Sequence, residues 1–271
     1  MGEQTAPRPT LAQASLEVYP SSTIGTRFID TFGGTNLKVN VTSSPNSGID
    51  ATIELTSLLA NNGFNVVPHI GVHEIEDAQH LSKVAGNISD LGIKEVFVIK
   101  GEGTQKGIYR TGAKLMRDLA AGGMELDAIG IGGYPEGGEG LTSEQMLNGI
   151  RIRKQIAEDM GAQLYVVTQM CFDPDLITRY GVDLKNNGID VPLLAGLPNS
   201  EGAAHMYERA VKYRVGPSRE LLLNQEAHID FDPRSLVESI EASDSRAEVS
   251  GYHIYTFNKM RHAAELLGLS T

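Results

Sequence analysis

From residue 15 onward, short apolar or β-branched runs alternate with longer stretches in which apolar side chains recur every three or four positions. The short runs fall at 16–19, 37–42, 65–70, 95–100, 128–132, 163–168, 191–197 and 252–257, which predicts eight strands. Between them, Ile53, Leu55, Leu58, Leu59 and Phe64 keep helical spacing, as do Leu81, Val84, Ile88 and Leu91, and then Met146, Ile150, Ile156 and Met160. Each such stretch runs toward a glycine suited to a helix C-cap: Gly63, Gly92, Gly122, Gly161 and Gly188. Strands alternating with helices of this length make βαβ units and a parallel sheet. Eight repeats, one roughly every 33 residues, favour a closed (β/α)8 TIM barrel over an open doubly wound sheet. No G-x-G-x-x-G opens a helix after the first strand, which also weighs against a dinucleotide-binding open sheet.

Residues 1–14 are polar, contain proline and lack periodicity, so they read as a flexible N-terminal arm. No linker or shift in composition divides the remainder, and 15–271 is expected to be a single catalytic barrel domain. The stretch 203–246 is longer than one helix needs. It predicts two or three helices, beginning at a cap on Asn199 or Ser200, after Pro217, and after Asp232-Pro233.

Composition narrows the partners. With 23 Lys plus Arg against 34 Asp plus Glu, the formal net charge is −11, and no basic run is dense enough to track a phosphate backbone. Nucleic acid is excluded on that ground, and the lack of any apolar run of about 18 residues argues against a membrane span. One cysteine, Cys171, cannot form an internal disulfide, and the N-terminus has no apolar signal core, so the cytoplasm is the expected location. Cys171 has no basic partner in the sequence pattern and reads as an inert buried thiol. His73, His80 and His205 fit no metal-binding spacing, so no metal site is expected. Homo-oligomerisation is left open.

In a parallel barrel the chemistry gathers at the C-terminal strand ends. Those ends carry Glu17, Thr42 with Asn46, His69, Lys100-Gly101-Glu102, Tyr134-Pro135-Glu136, Thr168-Gln169, Gly196 and 255–258, whereas the strand starts are less consistently equipped. Polar and aromatic groups thus converge on one predicted pocket.

The segments SLEVYP, VTSSPNSG, VVPHIG, VFVIKGE, GGYPEGGEG, VVTQMCFD, LLAGLP and GYHIYTFN resemble, in the same order, the strand-end motifs of the methylenetetrahydrofolate reductase family. The resemblance covers nearly the whole chain. It implies an oxidoreductase that uses FAD, with NADH or NADPH as hydride donor, to reduce 5,10-methylenetetrahydrofolate to 5-methyltetrahydrofolate. Glu17 matches the family acid. The ring joining N5 and N10 of the folate must open to an N5 iminium before hydride reaches the methylene carbon, and a carboxylic acid in a largely apolar pocket can supply the proton. Glu102 stands where the family has Asp, and with Gln169 it matches the residues that hold the pterin. Tyr255 and Lys259 complete the implied folate contacts, Lys259 replacing a family Arg. Around the flavin, the resemblance implies Thr42, His69, Lys100, Gly101, Tyr109, Gly132, Tyr134 and Asn148. One of Arg151, Arg153 and Lys154 would meet the cofactor diphosphate.

Departures from the family pattern bear on the electron donor. Gly137-Gly138-Glu139 replaces a His-Pro pair, Gln145 stands where Asp is frequent, Ala195-Gly196-Leu197 replaces Pro-Gly-Ile, and no aromatic near Gly202 matches the residue on which the nicotinamide stacks in some members. These changes weaken the case for a nicotinamide donor. They leave three alternatives: a flavin-free member, a member running in reverse to oxidise 5-methyltetrahydrofolate, and a folate- or flavin-binding paralogue without turnover.

Overall fold

The computed structural model describes residues 10–43, 47–101, 105–138, 140–199, 208 and 232–269. Eight parallel strands, β1 (Ser15–Val18), β2 (Lys38–Val41), β3 (Asn65–Gly71), β4 (Glu95–Ile99), β5 (Ala128–Gly133), β6 (Gln163–Thr168), β7 (Leu193–Pro198) and β8 (Gly251–Tyr255), pair in chain order. The barrel closes where Leu16 and Glu17 of β1 meet Ile254 and Tyr255 of β8. The helices are α1 (Ile24–Phe32), α2 (Gly48–Asn61), α3 (Ala78–Asp90), α4 (Gly112–Ala121), α5 (Ser143–Asp159), α6 (Pro174–Asn186), α7 (Pro233–Ala242) and α8 (Met260–Leu266). The fold is the expected (β/α)8 barrel.

The strands sit within one or two residues of the apolar runs in the sequence. Of the helices expected in 203–246, α7 begins as predicted, with Asp232 accepting from the Arg234 amide and Pro233 in the first turn. The other two expected starts border or fall on residues outside those described. Gly63, Gly92, Gly161 and Gly188 all take positive φ just past their helices, but after α4 it is Gly123 (φ 75°) and not Gly122 that turns left-handed. Residues 1–9 lie outside the described residues. The rest of the expected arm forms a 3-10 turn, Leu11–Gln13, which leads into a buried Ala14.

Period-two alternation sorts each strand between two environments. Outward-facing Leu16, Val18, Val39, Val41, Val96, Val98, Ile129 and Ile131 are buried in the apolar layer between sheet and helices. The inward-facing residues divide the barrel interior by height. At the floor, Lys38 pairs with Glu95 at 2.8 Å and its Nζ lies 5.9 Å from the centre of the Tyr165 ring, reaching from β2 across to β6. Above it, Val67, Phe97, Tyr165 and Val167 form an apolar plug. Gly130 makes that plug fit: a Cβ there would lie 2.2 Å from Phe97 Cδ2 and 2.5 Å from Tyr165 Cζ. The filled lower barrel leaves the C-terminal mouth as the open end of the barrel interior.

Candidate active site at the barrel mouth

The top of the interior is polar, and its centre is an array of three side chains. Ser15 and Glu17 share the inner face of β1, and His253 lies opposite Ser15 in register on β8. His253 Nδ1 is 2.8 Å from Ser15 Oγ, while its Nε2 lies 3.6 Å from Glu17 Oε2, an electrostatic contact too long for a good hydrogen bond. Ser15 and His253 are buried, and the Glu17 side chain keeps 19% of its accessibility, so the carboxyl is the member open to the mouth. The sequence led to an expectation of a largely apolar setting for Glu17; its immediate neighbours are instead a histidine and a tyrosine. The second is Tyr255, whose ring lies edge-on to His253 at 4.9 Å.

Tyr255 is fixed in place. Its hydroxyl donates to Thr168 O at 2.9 Å, and its ring takes the space a side chain at Gly196 would need. Burial, reinforced by Glu17 and Tyr134, pushes its phenol well above the ordinary tyrosine range, so it remains protonated. A ligand that reaches Tyr255 would meet its ring, since the hydroxyl proton is committed to β6. Next along from Thr168, Gln169 is half-buried, its backbone N–H donating to Gly133 O at 2.7 Å.

The seam between β8 and β1 is closed above the array by an irregular turn. Phe257 (φ 51°) and Asn258 (φ 59°) are both left-handed, a rare conformation for residues with a side chain. Asn258 uses it to grip Tyr19 twice: its Oδ1 accepts from the Tyr19 N–H at 3.0 Å, and its Nδ2 donates to the Tyr19 carbonyl at 2.8 Å. The Thr256 hydroxyl donates to the Glu17 carbonyl. These bonds continue the β1–β8 ladder beyond the last strand residue and fix the backbone that carries Glu17. Lys259, exposed at the start of α8, follows this turn.

On the β2–β5 side, His69 is buried, stacked on Phe97 at 4.5 Å, with Nε2 3.4 Å from Asn40 Oδ1. Burial, with repulsion from His253, holds its imidazole well below the usual histidine range and hence neutral. Its Nδ1 has no hydrogen bond among the described residues. Thr42 follows β2, its N–H bonded to Val18 O. Gly132 is on the inner face of β5, and Tyr134 just beyond it is 44% exposed. Lys100 is exposed, and Gly101 takes φ 82°. The loop after β4 is laced to the turn after β3: His73 N–H bonds Lys100 O, Lys106 N–H bonds His73 O, and Ile108 N–H bonds Glu76 O. His73 thus anchors both ends of the segment containing Glu102. Glu102 itself lies outside the described residues, as do Asn46, His205 and Gly202.

Two expected flavin contacts stand apart from this group. Tyr109 is fully buried in the apolar layer with Ile75 and Leu115, and its hydroxyl donates to Asp118 on α4 at 2.9 Å. Asn148 is exposed on α5. The same helix separates its three basic residues. Arg151 bonds Glu144 at 3.0 Å and Lys154 pairs with Glu158, whereas Arg153 is half-buried, with burial lowering its pKa from the ordinary value, and has no carboxylate partner among the described residues. Its Nε donates to Gly149 O, and the nearby groups acting on its charge are Tyr134 and Tyr180. Gln145, where the family often has Asp, is committed to a capping box with Thr142, which accounts for its presence at the helix start.

His253 and Ser15 were not singled out from the sequence. A histidine inside an apolar strand ordinarily reads as core, but its two-residue offset from Tyr255 puts both on one inner face, and that signal was available. Cys171 is buried, its Sγ 3.5 Å from Asp173 O and 3.8 Å from Glu136 Oε1. Among the described residues, no group of three or more His, Cys, Asp or Glu could hold a metal ion, and no helix is long and apolar enough to cross a membrane.

Comparison with known proteins adds a family and a fold. Residues 28–270 match the family model described as methylenetetrahydrofolate reductase. A protein of Oryza sativa subsp. japonica named "Probable methylenetetrahydrofolate reductase (NADH)" is 27% identical over 172 residues, 54% of this chain and 28% of that protein. The matched region thus spans under a third of that relative's length. Among solved structures, a "putative phosphonomutase" from Burkholderia cenocepacia J2315 aligns with a TM-score of 0.50 at 11% identity, covering 95% of this chain and 93% of the other. At that identity the likeness concerns the barrel fold alone.

Proposed function

The chain belongs to the methylenetetrahydrofolate reductase family, a family of oxidoreductases, and on that premise we propose that it interconverts 5,10-methylenetetrahydrofolate and 5-methyltetrahydrofolate with Glu17 as the acid. The observation that carries this reading is the Ser15–His253–Glu17 array at the open end of a plugged barrel. In the reductive direction a proton goes to N10, the bond from N10 to the methylene carbon breaks, and the remaining N5 iminium accepts a hydride at that carbon. FAD, when bound, would supply the hydride chemistry, with NADH or NADPH as the source of electrons.

The chain's own residues account for the proton. Glu17 is the partly accessible carboxyl at the mouth and passes the proton to N10. In the tautomer in which His253 Nδ1 accepts from the Ser15 hydroxyl, Nε2 carries a hydrogen and faces Glu17, so the ring presents an N–H that orients the carboxyl, and the proton spent on N10 is replaced from solvent through the accessible mouth. In reverse Glu17 takes the proton from N10. His253 is a positioning residue, acting through Glu17. Gln169 and Glu102 orient the pterin, the Tyr255 ring walls the reacting carbon, and exposed Lys259 suits the carboxylates of the folate tail.

The β2–β5 side fits the flavin. A buried His69 Nδ1 without a partner among the described residues suits a ring acceptor or donor, and a desolvated Arg153 suits a diphosphate. With Thr42, Gly101, Gly132 and Tyr134, these residues would hold FAD, and Arg153 is the choice among the three basic residues of α5. Lys100 stays a flavin contact on the resemblance alone.

The test is anaerobic. Purified protein is expected to carry FAD, and its absorbance to be bleached on mixing with 5-methyltetrahydrofolate. A colourless protein that turns over with NADH and 5,10-methylenetetrahydrofolate would establish flavin-free chemistry, and absence of both turnover and bleaching would contradict the enzymatic reading.

A further inference from the structure

We infer that Tyr19 is a specificity-determining residue whose ring stacks on the aminobenzoyl arm of the folate substrate. The inference rests on the reading above and deepens it from the register of β1. Val18 O accepts from Thr42 on the β2 side, so the residues on either side of Val18 direct their backbone groups toward β8. Tyr19 does so: both its N–H and its carbonyl are taken by the Asn258 side chain, which stands in for the next residue of β8. Tyr19 therefore continues the strand geometry, and its side chain falls on the same inner face as Ser15 and Glu17.

Its position relative to Glu17 matters chemically. Two residues at a rise of about 3.3 Å put Tyr19 about 6.6 Å further toward the open end. The atom that Glu17 protonates is N10, and N10 is bonded directly to the aminobenzoyl ring. With the pterin inside and N10 at Glu17, that ring must run outward past the next inward-facing residue on β1, which is Tyr19. Tyr19 is equipped for it: 37% exposed, with no ring contact or side-chain hydrogen bond among the described residues. Its backbone is held by the two Asn258 bonds, so the aromatic face is presented with little ordering cost on binding. Aromatic faces in offset or edge contact gain beyond the area they bury.

The experiment measures equilibrium binding by anaerobic calorimetry to holoenzyme whose flavin has been reduced beforehand, so that no hydride transfer can follow, using 5-methyltetrahydrofolate and a 5-methyl tetrahydropterin that lacks the aminobenzoylglutamate arm. Tyr19→Ala is expected to weaken binding of the full folate roughly tenfold, the scale of one lost stack, and to leave the short pterin unchanged. Tyr19→Phe, which keeps the ring, is expected to bind both like the parent. Equal folate affinity in Tyr19→Ala and parent overturns the inference, as does an equal loss for the short pterin, which would mean that the variant disturbed the deeper site. If the parent binds neither ligand, the family-based reading falls and the inference falls with it.

Discussion

His253 Nε2 faces Glu17 Oε2 at 3.6 Å while the opposite ring nitrogen holds Ser15 Oγ at 2.8 Å. The imidazole is thus oriented by one bond and spends its other end on the carboxyl. If it orients Glu17, His253→Gln lowers kcat roughly 10- to 100-fold with little change in folate KM. Ser15→Ala, which frees only Nδ1, gives a smaller loss of the same kind. Steady-state kinetics from pH 5.5 to 8.5 check both; a proportionate rise in KM would point to a purely structural role.

The interior plug predicts a stability effect at a glycine. Gly130→Ala introduces a methyl within 2.2 Å of Phe97 and 2.5 Å of Tyr165, both ring atoms in a packed barrel. The expected cost is about 1–3 kcal/mol, read as a lower urea midpoint at unchanged m-value. Gly63→Ala is no control for this, because its positive φ brings a separate penalty.

Left-handed Asn258 separates two contributions. Asn258→Gly loses both bonds to Tyr19 but relieves the Cβ at positive φ, whereas Asn258→Ala loses the bonds and keeps that Cβ, which is about 1–2 kcal/mol less favourable there than glycine. Chemical denaturation should rank the parent above Gly and Gly above Ala. Ala equal to or above Gly would mean that the turn relaxes to another conformation.

His69 predicts acid sensitivity. Its folded pKa lies below the ordinary value of 6.5, so the unfolded chain takes up a proton near 6.5 that the folded protein refuses until lower pH. The contribution is level above about 6.5 and is lost as pH falls below it, at up to about 1.4 kcal/mol per pH unit. His69→Phe removes this titration and keeps an aromatic on Phe97, so the stability lost between pH 7.5 and 5.5 should be smaller in the variant. Parallel denaturation curves at the two pH values check it; equal losses would contradict the buried neutral histidine.

Much of the barrel could be read along the chain because each strand is a compact apolar run bounded by turn residues, and helix ends are marked by glycines such as Gly63 and Gly161. What the sequence concealed were relations across the barrel. Lys38 and Glu95 are 57 positions apart and meet only because β2 and β4 flank β3 and both turn these side chains into the floor of the barrel, so the strand starts looked poorly equipped. The link between His253 and Ser15, 238 positions apart, needs the closure of β8 onto β1. Tyr109 shows the opposite limit: its place in a motif suggests a ligand contact, and only the packing of α4 shows that its hydroxyl belongs to Asp118.

Glu17 can be tested alone. Glu17→Gln is nearly isosteric and keeps a polar group beside His253, so the fold, bound flavin and folate affinity should be retained. The decisive measurement is the turnover of 5,10-methylenetetrahydrofolate by this variant, with folate binding measured in parallel. The account predicts a loss of at least about 100-fold in turnover with binding preserved; turnover equal to that of the parent would contradict it.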